Sequence, residues 1–155
     1  MALRVGVGYD SHRFAAGRRL VLGGVEIDHP EGLDGHSDAD VLAHAVIDAI
    51  LGAAGLGDLG RHFPPVDEQW RDAASLDLLR TVLGMLPGHV VNVDATVVCE
   101  APRLGEYREP MEGELRATLA APVSVKATSN EGMGWIGGGE GIACVAVALI
   151  ELQSG

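Results

Sequence analysis

A polar stripe inside an otherwise apolar run constrains what this chain can fold into more than any other feature. From Asp38 the sequence reads Asp-Ala-Asp-Val-Leu-Ala-His-Ala-Val-Ile-Asp-Ala-Ile-Leu, and nearly every other residue from Val41 to Ala54 is Val, Leu, Ile, Ala or Gly. The pattern predicts a helix over about 38–54. Asp40, His44 and Asp48 recur at every fourth position and so share one face of it. A helix apolar on most sides is buried, and a buried carboxylate or imidazole is costly unless hydrogen-bonded, paired or bound to metal. The stripe therefore needs a partner.

Asp10 and His12 offer one. They follow the apolar start Leu3 to Val7, and their spacing of two puts both side chains on one side of an extended backbone. Asp10, His12 and His44 would supply one oxygen and two nitrogens, a donor set suited to zinc. Three protein ligands leave a fourth tetrahedral position open, as in catalytic sites. Asp48, one turn beyond His44, is placed to orient an imidazole from behind. On spacing alone, the same residues read equally well as a strand-end Asp turn and a hydrogen-bonded core histidine.

The length of 155 residues predicts one domain, 1–155, long enough for a real core. Aromatic residues make up only 4% of the chain, so that core must be built from Val, Leu, Ile and Ala. A net charge of −11 argues against nucleic acid and anionic membrane surfaces as partners. It does not exclude a small phosphorylated substrate, provided metal ions, backbone N–H groups and a few basic side chains offset the global field. Cys99 and Cys144 lie in apolar strand-like runs and read as buried free thiols of a reducing compartment. The start Met-Ala-Leu-Arg-Val-Gly lacks the apolar core of a signal peptide, and the run Ile142–Ile150 is too short to span a bilayer. The expected location is the cytoplasm.

Leu3 to Val7 reads as a first strand, and Leu20 to Ile27 as a hairpin turning at Gly23-Gly24. Ser75 can cap a helix over about 76–86 that ends at Pro87-Gly88. Val91 to Cys99 alternates as a half-buried strand, a helix of about 106–120 follows, and Val123 to Thr128 is another strand. Ile142 to Leu152, apolar on both faces, reads as a buried central strand. The expected class is α+β, a ferredoxin-like β-sheet with helices packed on one face.

Three loops are able to carry chemistry. Gly32-Leu-Asp-Gly-His-Ser-Asp38 places His36 and Ser37 at the mouth of the striped helix, where free N–H groups suit a phosphate and where Ser37 or Asp38 can equally serve as a cap. Gly57-Asp-Leu-Gly60, followed by His62-Phe-Pro64, reads first as a helix terminator and second as a substrate loop. Lys126-Ala-Thr-Ser-Asn-Glu131 ends a strand in hydroxyls, an amide and a carboxylate, although a lone Lys there is usually a solvated surface charge. Gly137-Gly-Gly-Glu-Gly141 has neither a phosphate-loop Lys nor dinucleotide spacing, and marks only a sharp turn.

Taken in order, Gly8-Tyr-Asp-Ser-His-Arg-Phe14, His36-Ser-Asp-Ala-Asp-Val-Leu-Ala-His44, Gly57-Asp-Leu-Gly60, Phe63-Pro64, Glu100-Ala-Pro-Arg103, Lys126-Ala-Thr128 and Gly139-Glu-Gly-Ile-Ala143 resemble the 2-C-methyl-D-erythritol 2,4-cyclodiphosphate synthase family. The resemblance covers nearly the whole chain. It implies zinc, one ion per subunit, on Asp10, His12 and His44, and contact of His36 and Ser37 with the methylerythritol phosphate. Asp58, Leu59, Gly60, Phe63, Pro64 and Asp67 match segments lining the methylerythritol part of the site. Ala101, Pro102, Arg103 and Leu104, within Ala101 to Arg108, match the cytidine and diphosphate pocket, as do Ala127, Thr128, Ser129, Asn130 and Glu131. That pocket is contributed by the neighbouring subunit of a homotrimer. Glu131 also matches the ligand of a second divalent cation, Mg²⁺ or Mn²⁺, and His36 and Ser129 match positions assigned to transition-state stabilisation.

The reaction implied is cyclisation of 4-diphosphocytidyl-2-C-methyl-D-erythritol 2-phosphate with release of CMP, a step of non-mevalonate isoprenoid synthesis. Ser129 stands where Thr is common and keeps the hydroxyl, and Arg103 stands where Lys is frequent and keeps the charge. Gly138 stands where many members carry an Arg facing a central trimer cavity proposed to bind isoprenoid diphosphates, while Trp135 nearby remains able to line such a cavity. Two alternatives compete with this reading. One is a zinc hydrolase that activates water at the open coordination position, and the other a non-catalytic trimer that binds nucleotide or isoprenoid.

Overall fold

The computed structural model describes residues 1–154. In chain order these form β1 (Ala2–Ala15), β2 (Leu20–Leu22), β3 (Val25–Ile27), β4 (Gly32–Leu33), α1 (Val41–Ala54), α2 (Leu59–His62) and α3 (Ser75–Met85). There follow β5 (Gly88–Val98), α4 (Arg108–Leu119), β6 (Val123–Thr128), α5 (Gly134–Gly137) and β7 (Gly141–Leu152). The main sheet has the order β4-β1-β7-β5-β6, and β2-β3 form a separate hairpin. β7 runs antiparallel to both β1 and β5, whereas β5 and β6 are parallel because α4 carries the chain across between them. The four long strands thus follow the order β-α-β-α-β-β. This replaces the β-α-β-β-α-β order of the expected ferredoxin-like sheet, although the α+β class stands.

Alternation along β1 sorts its residues. Gly6, Gly8, Asp10 and His12 turn toward α1, and Leu3, Val5, Val7 and Tyr9 turn to the opposite, open face. The approach of α1 is close enough to exclude side chains from the strand. A Cβ on Gly8 would lie 1.9 Å from the Ala45 carbonyl oxygen, and one on Gly6 would lie 2.0 Å from that of Ala49. Behind α1 the core is aliphatic, with Leu42, Ile47, Ile50, Leu79, Leu115 and Ile150 fully buried. Helices cover this face only, so the other face of β1 and β7 remains open, with Val5 68% and Val7 67% exposed.

Several boundaries differ from expectation for identifiable reasons. β1 continues beyond Val7 to Ala15 because each residue to Arg13 pairs with β7, so Asp10 and His12 lie within the strand. α1 begins at Val41, and Asp40 caps it from outside. The Asp40 carboxylate accepts bonds from the amides of Ala43 at 2.9 Å and of Gly23 and Gly24 at 2.8 Å each. It ties the β2-β3 turn to the helix and does not face the site. Burial, aided by the nearby Asp38 charge, pushes its pKa up to about 6.

Ser75 is the first residue of α3, and its amide donates to Asp38 Oδ2 at 2.9 Å, so the cap comes from another segment. Gly55, in left-handed geometry, ends α1, and Asp58 caps the short α2 within the expected loop. β7 is central in the sheet, yet Val145 and Val147 are 38% and 41% exposed on the open face.

The helix–strand approach predicts opposite results for two Gly→Ala changes. Gly8→Ala forces a methyl into helix backbone and should destabilise the fold by about 3 kcal/mol. Gly52→Ala, on the exposed side of α1 with only Val7 O at 3.9 Å, should stabilise it by about 0.5–1 kcal/mol. Thermal and denaturant unfolding of both variants measures the contrast, and a benign Gly8→Ala would contradict the packing described.

Candidate metal centre and substrate cavities

β1 delivers Asp10 and His12, and α1 delivers the buried His44, to one point between strand and helix. His12 Nε2 lies 2.9 Å from Asp10 Oδ2, His44 Nδ1 lies 3.0 Å from the same oxygen, and the two nitrogens are 3.3 Å apart. Donors held around a tetrahedral zinc at its usual bond lengths stand about 3.3 Å from one another, so this triangle is of the right size. The tautomers agree with that use. His12 Nδ1–H donates to the Asp34 carbonyl at 2.8 Å, which leaves Nε2 free to ligate.

At His44 the far nitrogen, Nε2, meets Ser75 Oγ at 2.8 Å and Ser37 Oγ at 3.1 Å. Ser75 Oγ in turn donates a short bond to Asp38 Oδ1. A carboxylate only accepts, so the proton on Ser75 points at Asp38 and His44 Nε2–H donates to Ser75. The chain His44–Ser75–Asp38 thereby fixes Nδ1 as the ligating nitrogen and makes it more basic.

Asp48 does not take the orienting role expected of it. Both His44 nitrogens already have partners, and Asp48 Oδ1 accepts from the Leu59 amide at 2.7 Å, docking α2 onto α1. Burial raises the Asp48 pKa against that bond, helped by the charges of Asp10 and Asp58. At Asp10 burial also acts upward, but hydrogen bonds and charge from His12 and His44 outweigh it and hold the carboxyl at about 2. His12 shows the reciprocal effect, since burial lowers its pKa but the bond to Asp10 prevails and raises it. A divalent cation supplies the positive charge that these protons otherwise provide.

A cavity of about 200 Å³ opens over the three donors, lined also by His36, Ser37, Leu59, Phe63, Pro65, Trp70 and Leu78. It gathers His36, Ser37, Leu59 and Phe63 from the expected set. Asp58 and Asp67 are committed as caps, accepting from the amides of Arg61 at 2.9 Å and Gln69 at 3.1 Å, and Gly60 and Pro64 lie outside the lining. Trp70 stacks edge-on against Phe63 at 4.9 Å, and its buried indole N–H has no partner among the described residues.

A second cavity, about 450 Å³, lies at the ends of β5 and β6 and is of small-molecule size. Pro102, Arg103, Leu104, Ala127, Thr128 and Ser129 line it together with Arg108, whereas Ala101, Asn130 and Glu131 stand outside. The Asn130 amide donates to Glu100 Oε1 at 2.7 Å and its side chain donates to the Met133 carbonyl at 2.8 Å, which pins the loop. Glu131 is exposed, with φ +55, and Ser129 Oγ accepts from its amide at 3.2 Å. Lys126 lines the cavity with its ammonium paired to exposed Asp94 at 2.7 Å, the surface role expected of it. Trp135 lines a third cavity with Ser11, His12, Arg13 and Glu140, and Gly138 ends α5.

Ser11 and Thr128 belong to one rung of the sheet through Ala143 and Val98, so the first two cavities sit at the same end. The three strand spacings between them amount to about 14 Å. Sequence patterning did not point to Asp38, Ser75 or Trp70 as site residues. Asp38 and Ser75 lie on different elements, and no periodicity links them; the one available signal was the capping tendency of Ser75.

The fold and the donor cluster define the class: an α+β protein built around a site that fits a divalent cation. The chain matches the YgbB family over residues 3–151 and belongs to it. It is 57% identical over 152 residues to 2-C-methyl-D-erythritol 2,4-cyclodiphosphate synthase of Symbiobacterium thermophilum, covering 94% of this chain and 97% of that one. The Gloeobacter violaceus protein of the same name is 54% identical over 155 residues, covering 96% and 95%.

Among solved structures, a 2C-methyl-D-erythritol-2,4-cyclodiphosphate synthase in a CDP-bound form superposes with a TM-score of 0.87 at 32% identity, covering 96% of this chain and 100% of that one. The bifunctional IspDF of Campylobacter jejuni gives a TM-score of 0.93 at 36% identity. This chain is 99% covered there and spans 43% of that longer protein.

The donor geometry predicts a graded loss of metal. His44→Ala should abolish stoichiometric zinc binding, and Ser75→Ala should weaken it by about 10-fold through the imidazole it orients. Competition titration with a chromophoric chelator measures both, and wild-type affinity in His44→Ala would contradict the assignment.

Proposed function

We propose that the chain converts 4-diphosphocytidyl-2-C-methyl-D-erythritol 2-phosphate to 2-C-methyl-D-erythritol 2,4-cyclodiphosphate and CMP, in the non-mevalonate route to isoprenoids. The observation that carries this reading is the convergence of Asp10, His12 and His44 beside a small cavity. A second, larger cavity lies at the same end of the sheet, in a chain sharing family and fold with proteins that bear that name.

In this reading an oxygen of the substrate's 2-phosphate attacks the β-phosphorus of the diphosphate, and CMP departs with the bridging oxygen. No protein nucleophile is needed, so the protein's work is positioning and charge stabilisation. Asp10, His12 and His44 would hold zinc, which supplies Lewis acidity and a template for phosphate oxygens when bound. Glu131 would hold Mg²⁺ or Mn²⁺. A single exposed carboxylate fits that role, because such ions take most of their remaining ligands from phosphates and water. Ser37 and the His36 imidazole receive the methylerythritol phosphate at the mouth of α1. Leu59 and Phe63 form apolar walls that exclude water around the carbon skeleton. Pro102 to Leu104 and Ala127 to Ser129 cradle the cytidine diphosphate, where Arg103 offsets part of its charge and the Ser129 hydroxyl donates to the transferring phosphoryl group.

The proposal includes a homotrimer with each site between subunits. Support comes from the open sheet face, where Leu3, Val5, Val7 and Tyr9 of β1 continue into Val145 and Val147 of β7. An apolar patch of this extent marks an interaction surface. A copy seated there would explain why β7 is apolar on both sides, and would bring its own nucleotide cavity toward this chain's metal centre. We place the reaction in the cytoplasm, consistent with a chain in which no described helix is long and apolar enough to cross a membrane.

³¹P NMR of the protein with substrate, Zn²⁺ and Mg²⁺ tests the reaction. The expected result is a cyclic diphosphate with stoichiometric CMP, and with Glu131→Gln a turnover at least about 10-fold lower that no longer rises with added Mg²⁺ while zinc content stays intact. Opened phosphomonoesters would instead indicate a hydrolase, and untouched substrate with zinc present would indicate a binding protein.

A further inference from the structure

Arg18 lies between β1 and β2, outside both substrate cavities described above and outside the metal cluster. Its guanidinium nevertheless grips the strap that runs past the metal centre. One terminal nitrogen donates to the Gly35 carbonyl at 2.9 Å and the other to the Ser37 carbonyl at 2.8 Å. The carbonyl between them, that of His36, accepts from the Asp72 amide at 3.0 Å. Three consecutive carbonyls are therefore fixed, two of them by one side chain. On either side the strap is anchored again, by the Asp34 amide to Arg13 O at 2.7 Å and the Asp38 amide to Ala73 O at 3.1 Å.

The side chain at the centre of this arrangement is treated differently. The His36 imidazole enters none of the side-chain hydrogen bonds among the described residues and lines the cavity over Asp10, His12 and His44. A backbone held at every carbonyl beneath an uncommitted imidazole is a mounting. It fixes where His36 stands and leaves its nitrogens for a ligand. The planar fork of an arginine suits two carbonyls at once, whereas a lysine ammonium can serve them only as a point charge.

We propose that Arg18 is a positioning residue that acts through His36, holding the imidazole at the phosphate side of the metal cavity. The part of this concerning turnover rests on the cyclisation reading; the clamp itself does not. Errors of about 1 Å in the placement of a catalytic group cost rate heavily. The metal donors sit on β1 and α1, and the strap residues that orient them, Asp34 and Asp38, keep their own backbone bonds to Arg13 and Ala73, so loss of the clamp should leave zinc bound.

The test compares Arg18→Met, Arg18→Lys, His36→Ala and the double variant Arg18→Met/His36→Ala. Arg18→Met should lower kcat roughly 100-fold with the wild-type zinc content, and Arg18→Lys should fall between that variant and wild type. In the His36→Ala background the same Met substitution should cost less than about 5-fold, because its target is gone. A full, additive loss in both backgrounds would overturn the proposal, as would Arg18→Met at wild-type rate.

Hydrogen exchange provides a readout independent of any reaction. The Asp72 amide should exchange at least about 10-fold faster in Arg18→Met than in wild type while β1 and α1 amides keep their protection. Unchanged protection at Asp72 would overturn the clamp even if turnover fell. A wild-type protein that makes no cyclic product would refute the reaction alone, since the exchange result still decides the clamp.

Discussion

The contact of α1 with the backbone of β1 sets the positions of both the core and the metal donors. Glycines at positions 6 and 8 leave no side chain between strand and helix at those two positions, and Ala45, Ala49 and Ala53 answer them from the helix side. β1 ends at Ala15 and α1 starts at Val41, yet the contact brings them near enough for His44 to meet Asp10 and His12 within 3.3 Å. The even register of β1 does the remainder, since the positions following Gly6 and Gly8 on the same face are 10 and 12. The packing contact and the donor triangle are one piece of geometry.

Electrostatics explains why a chain of net charge −11 can still have a site suited to a polyanion. The global field disfavours phosphates, so attraction has to be local. Asp10 stays ionised in a half-buried position because His12 and His44 face it, and the same three side chains converge as a group able to hold a cation. Around this centre the structure commits most other carboxylates to backbone amides: Asp40 to the β2-β3 turn, Asp48 to α2, and Asp38 to Ser75. Negative charge close to the cavity is thus bonded away from it.

Much of this was legible in the sequence, and the failures share a cause. Apolar periodicity located α1, the β2-β3 hairpin and β5 to within a few residues, and the spacing of Asp10 with His12 singled out the donors. Periodicity alone cannot tell a helix residue from its cap, so Asp40 read as part of the stripe until the Gly23 and Gly24 amides were seen to claim it. Asp48 kept its place on the face but found a nearer donor in Leu59. β1 runs well past its apolar start because its more polar second half pairs with β7 and, at Phe14 and Ala15, with β4. The ferredoxin-like order failed because element types do not specify that α4 crosses between parallel strands. Asp38 and Ser75 show only a capping tendency in the sequence and Arg18 shows nothing, because their roles are contacts between distant segments that no local pattern encodes.

The donor triangle of β1 and α1 fits a divalent cation, and the proposed occupant is a zinc ion held by one oxygen and two imidazole nitrogens. X-ray absorption at the zinc K-edge of the loaded protein measures it most directly. The predicted result is a shell of nitrogen and oxygen at about 2.0–2.1 Å, with the outer scattering of two imidazoles and no sulfur. A sulfur shell near about 2.3 Å, or a spectrum lacking imidazole scattering, would contradict it.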